Sequence, residues 1–119
     1  MLDFKEIKEK YPKSYKLLLN WTKETLLSFQ RLLMGNLDQS KLPVIEDATA
    51  ESALDGFIKV NYRLLYDFFD KNDLHISTIY DGEGLFSYRV GGVTGGSAES
   101  RSEIEVDAFN KAFEQLEKK

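Results

Sequence analysis

Leu74-His75-Ile76-Ser77-Thr78-Ile79-Tyr80-Asp81-Gly82-Glu83-Gly84-Leu85-Phe86-Ser87-Tyr88-Arg89-Val90 is the stretch on which the fold turns. Leu74, Ile76 and Tyr80 fall on one face of an extended chain and His75 and Ser77 on the other. After the glycines, Phe86, Tyr88 and Val90 alternate in the same way. A period of two marks strands, because successive side chains point to opposite sides of a pleated backbone. Asp81-Gly82-Glu83-Gly84 collects the residues that tolerate tight turns, so the stretch predicts a β-hairpin. Gly91-Gly92-Val93-Thr94-Gly95-Gly96 follows, and the sequence leaves it open as a short third edge strand or a loop.

Working outward toward the C-terminus, Ser100 with Glu103 and Ser102 with Glu105 each fit the capping-box spacing. Ile104, Ala108, Ala112 and Leu116, flanked by Phe109 and Phe113, then predict an amphipathic helix. Lys118-Lys119 suits its negative end. Toward the N-terminus, Asn72-Asp73 closes a predicted helix over 62–71, started by Asn61 and carrying Leu64, Leu65, Phe68 and Phe69. Before it, Asp47 or Thr49 is placed to cap a helix over about 48–58. The two helices read equally as one kinked helix. Residues 36–46, with Leu42-Pro43, read as a linker. Earlier still, Asp3 caps a short helix over 4–10. Pro12 then opens a longer one to about Met34, which Gly35-Asn36 ends. Leu18, Trp21, Thr25, Leu26, Phe29, Leu32 and Leu33 recur along it at three- and four-residue steps, an apolar stripe.

This order predicts an α+β fold: a small antiparallel sheet of two or three strands with helices packed on one face. The 119 residues suit a single domain over 1–119, with an N-terminal helical segment at 1–35 and an α-β-β-(β)-α core at 47–119. Composition agrees, with 42% hydrophobic and 13% aromatic residues and only two prolines. The absence of cysteine excludes disulfides, thiolate metal sites and thiol nucleophiles. Together with an acidic start that lacks the features of a signal peptide, and apolar runs too short for a membrane, it predicts a cytoplasmic location.

The net charge of −4 is unevenly spread. Residues 1–41 carry eight Lys/Arg against five Asp/Glu, and residues 42–119 eight against fifteen. An acidic body repels nucleic acid, while the basic N-terminal helices carry Lys5, Lys8, Lys13 and Lys16.

No motif marks a catalytic centre. The 91–96 glycines lack a following Lys-Ser or Lys-Thr and the G-x-G-x-x-G spacing, and Glu99, Glu103 and Glu105 surround the next helix start. His75, the only histidine, has Ser77 two residues on but no nucleophile motif, and reads as a surface residue. Asp67, Asp70, Asp73, Asp81 and Glu83 lack the alternation of a calcium loop and read as caps and solubilising charge. Tyr62 and Tyr66, four apart, and Tyr80 and Tyr88, a cross-hairpin pair, read as core aromatics or as an interaction surface shared with Arg101.

Two resemblances stand beside these readings. The α-β-β-(β)-α order over about residues 50–117, with Ser100-Arg101-Ser102-Glu103-Ile104-Glu105 and then Ala108, Ala112 and Leu116, is similar to the double-stranded RNA-binding domain. That likeness implies basic residues at the start of the last helix. Arg101 matches one, whereas Ser102 and Glu105 stand where lysines belong, so this chain departs from the phosphate-gripping pattern that the likeness implies. Leu64-Leu65-Tyr66-Asp67-Phe68-Phe69-Asp70, Ile76-Ser77, and Glu103 through Ala108-Phe109 to Ala112-Phe113 resemble segments of a family of short uncharacterised proteins from Bacteroides-type bacteria and their phages or mobile elements. This likeness implies a phage or mobile-element origin and no particular mechanism.

The sequence therefore predicts a non-catalytic accessory protein without cofactor or metal and without membrane association. It also predicts a protein partner and a homodimer through helix or sheet faces. A nucleic-acid-binding module ranks second and a small hydrolase using His75 third.

Overall fold

In the computed structural model, which describes residues 2–34, 44–58 and 61–119, short-range capping sets most of the element boundaries. Asp3 Oδ1 accepts the backbone N–H groups of Lys5 and Glu6 at 3.0 and 3.3 Å and starts α1, Phe4–Lys10. Pro12 opens α2, Pro12–Met34. The expected Gly35-Asn36 stop and most of the linker lie outside the described residues.

α3 covers Asp47–Ala53 and widens into a π-helical turn at Leu54–Ile58. The α-helix expected over 48–58 is thus regular only in its first part. Gly56, the weakest helix former of the segment, sits inside the widened turn. Glu46 precedes α3 without a side-chain bond, so neither Asp47 nor Thr49 acts as its cap. Asn61 stands outside the helices and its Oδ1 accepts the Arg63 N–H at 3.3 Å, so α4, Arg63–Lys71, starts afresh. Asn72 and a left-handed Asp73 (φ 60°) end it.

The hairpin forms as β1, Ile76–Tyr80, and β2, Phe86–Val90, antiparallel with Ile76 opposite Val90, Thr78 opposite Tyr88 and Tyr80 opposite Phe86. Asp81 Oδ1 accepts the N–H groups of Glu83 and Leu85 and builds the turn. Gly91 and Gly92, with φ of 55° and 84°, make a two-residue turn into β3, Val93–Ala98. The strand alternative is therefore realised, and the sheet order is β1-β2-β3. β3 carries a bulge: pairing shifts between Phe86 and Tyr88, and Gly96 has φ 75°. A Cβ at Gly96 would stand 2.7 Å from the Tyr88 ring and 2.8 Å from Ile104, so only glycine lets that ring lie on the strand.

α5, Arg101–Glu117, is capped by Ser100, whose Oγ accepts the Glu103 N–H at 3.2 Å. Ser102, the alternative capping-box residue, sits inside the helix. α5 is the central element. Ile104 and Ala108 are buried, and Gln115 Nε2 donates to Val90 O at 3.1 Å, holding the helix to the sheet. Phe109 and Phe113 meet α4, where Phe69 lies 4.9 Å edge-on from Phe113 and Phe68 meets Trp21 of α2 at 5.7 Å. The architecture is α+β, with helices packed on one face of a small antiparallel sheet. Among the described residues, no helix is long and apolar enough to cross a membrane.

The N-terminal helices are tied to the far end of the chain. α2 has no local N-cap. Glu117 supplies one, accepting the Lys13 and Ser14 N–H groups at 3.2 and 2.7 Å, while the buried Ser14 hydroxyl donates to Phe113 O at 3.0 Å. Burial pushes the Glu117 carboxyl up, but those two N–H groups outweigh it and hold it below the usual carboxylate range. From this anchored end α2 runs outward. The radius of gyration is 16.1 Å, against about 13.5 Å for a compact domain of this length.

Candidate functional site

The apolar stripe of α2 has two fates. Tyr15, Leu18 and Leu19 are buried against α1, α3 and α5. Thr22 and Thr25 return their hydroxyls to Leu18 O and Trp21 O, so these polar side chains carry no unmet hydrogen bond. Lys23 pairs with Asp47, which places the start of α3 beside the middle of α2. Beyond that point burial is partial: Thr25, Leu26, Leu27 and Gln30 stay half-buried, while the rest of the face opens. Phe29, Leu32 and Leu33 are 62, 81 and 80% exposed, and Val44 is exposed too. Phe29, Leu32 and Leu33, predicted as part of an amphipathic stripe, do not join the core.

An apolar groove of about 420 Å³ adjoins this end, lined by Leu26, Phe29, Ala53, Ile58 and Leu64, with Arg63 and Asp67 among its polar members. Large apolar side chains exposed together beside an apolar groove are the usual mark of a docking surface. The signal was present in the sequence. A stripe running to residue 33 needs a long facing helix, and the other predicted helices near it are short.

The aromatic candidates divide between core and surface. Tyr62 and Tyr66 both pack edge-on against Phe109 at 5.1 Å. Tyr66 Oη also donates to Glu105 at 3.1 Å. Burial, with the Glu105 charge behind it, pushes its phenol pKa up. Tyr88 lies half-buried on the glycines of β3. Tyr80 does not meet Tyr88: the register makes them diagonal, and Tyr80 instead packs on Phe86 at 4.9 Å. Arg101 also lies over Phe86, 5.7 Å from the ring centroid. Of the five, Tyr80 and Arg101 reach solvent as one cluster with Phe86, whereas Tyr62, Tyr66 and Tyr88 largely fill space inside.

The residues weighed for chemistry are scattered. His75 is exposed, with Nδ1 2.9 Å from Asp70 Oδ1. Asp81 is engaged in its turn and the glycines in β3. Among the described residues, no three His, Asp or Glu side chains are grouped to hold a metal ion.

The chain matches no family model, no curated protein and no solved structure. Its function is therefore argued from its own surfaces.

Proposed function

We propose that this chain is a non-catalytic accessory protein that binds another protein through the open end of α2 and the groove beside it. The observation that carries the reading is the exposure of Phe29, Leu32 and Leu33 on consecutive turns of one helix. The partner segment that suits this groove is an amphipathic helix with apolar residues three and four apart. Acidic charge over residues 42–119 favours a partner of basic character. An accessory role carried by a phage or mobile element is in keeping with the second resemblance.

A photo-crosslinking side chain at position 29 tests this. The expected result is one discrete adduct with a partner protein, abolished by Leu32→Glu/Leu33→Glu and retained by Lys16→Glu. No adduct, or one indifferent to the double substitution, removes the reading.

The second reading, a nucleic-acid-binding module of double-stranded RNA-binding-domain shape, is supported by the α4-β1-β2-β3-α5 order and the exposed Arg101. Glu99 and Glu103 beside Arg101, and Asp81 and Glu83 in the first turn, oppose phosphate. Salt-sensitive anisotropy with duplex RNA, weakened by Arg101→Glu, would establish that reading in place of the first. A flat titration at low salt would eliminate it.

A further inference from the structure

We infer that the free edge of β1 is a self-recognition surface, on which two copies pair their β1 strands antiparallel about Thr78. Two three-stranded sheets then become one continuous sheet. This surface is separate from the end of α2, so either reading stands or falls without the other.

The direction of the hydrogen bonds identifies the edge. Gly91 N donates to His75 O at 3.1 Å and Asp81 N to Leu85 O at 3.0 Å. In an antiparallel ladder such pairs alternate, so the odd-numbered residues of β1 spend their backbone groups on β2. Ile76, Thr78 and Tyr80 therefore turn theirs away from β2. Among the described residues, nothing hydrogen-bonds to those groups. Ser77, Ile79 and Tyr80 are exposed and Thr78 half-exposed, so among the described residues the strand is open along most of its length.

The sheet's other edge is defended and this one is not. β3 is kinked by its Gly96 bulge, a device that spoils edge-to-edge pairing. β1 is regular along all five residues, Ile-Ser-Thr-Ile-Tyr, with no bulge, proline or charge.

The strand is also complementary to itself. Antiparallel pairing centred on Thr78 sets Thr78 opposite Thr78 of the second copy and Ile76 opposite its Tyr80. Thr–Thr and aromatic–β-branched pairs are among the favourable cross-strand combinations. On the other face Ser77 meets Ile79. At each end His75 comes opposite Asp81, an imidazole donor against a carboxylate. A shift by one residue in register would lose all of these matches. The paired surface is small, so the dimer is weak and concentration-dependent.

Sedimentation from micromolar to millimolar protein tests this, with a nitroxide on Ser77→Cys, the only thiol in the chain. In the proposed register the two labelled sites are diagonal neighbours with Cα atoms about 7–8 Å apart, and dipolar broadening follows. Thr78→Pro removes an N–H that β2 does not use, so the fold should survive. Its dimer dissociation constant should rise about tenfold or more. If Thr78→Pro fails to fold, the nitroxide result decides alone. A monomer at millimolar concentration overturns the proposal. So does a dimer without broadening, or one that Leu32→Glu/Leu33→Glu dissolves. Broadening that an excess of unlabelled protein does not dilute away would overturn it as well.

Discussion

The first and last thirds of α2 carry the same apolar period and stand in opposite surroundings. Around Ser14, Leu18 and Leu19 the helix is capped by Glu117, bonded to Phe113 and enclosed by three other helices. Around Phe29, Leu32 and Leu33 the side chains face outward. Periodicity states which face of a helix is apolar, and the neighbours decide whether that face is a core or an interface.

The sharpest way to break this contrast is to truncate one leucine in each part. Leu18→Ala, at a fully buried site, should cost about 3 kcal/mol in urea unfolding. Leu32→Ala should cost less than about 0.5 kcal/mol. Equal losses would mean the outer part is core after all. Next in size, Ser14→Ala leaves the Phe113 carbonyl without its buried donor and should cost about 1–2 kcal/mol by the same measurement.

The smallest effect is a pH signature of the anchored end. The folded-state pKa of Glu117 is lowered, so its contribution is complete above the ordinary carboxylate pKa of about 4.3 and is lost as pH falls toward the lowered value. Glu114, held low by hydrogen bonds from Lys118 and Lys111, adds a similar dependence. Stability measured from pH 7 to pH 3 should fall less steeply in Glu117→Gln than in the unaltered protein. Identical slopes would show that the cap carries no weight.

What was legible in the sequence was local. Asp3 and Ser100 act within three residues of their helix starts, and the alternation from Leu74 to Val90 needs no distant information. The glycines of β3 were ambiguous because their use depends on Tyr88, the ring that they admit. The Glu117 cap joins positions 103 residues apart and leaves no spacing to read. The register that separates Tyr80 from Tyr88 is set by the length of the turn, which the alternation alone does not fix. The exposure of Phe29, Leu32 and Leu33 had an indirect sign, the shortness of the other helices. The open edge of β1 had none, since it follows from which strand pairs with which.

The placement of α5 at the centre also bears on how the chain is made. α2 is complete once residue 34 has been synthesised, but its cap is Glu117 and much of its cover is the helix that Glu117 ends. At 5–20 residues per second, the intervening stretch takes a ribosome roughly 4–17 s. Until α5 is made, the buried part of α2 has only α1 and α3 to cover it. A nascent chain stalled just short of residue 101 should therefore be a better client for a holding chaperone than all 119 residues released from the ribosome.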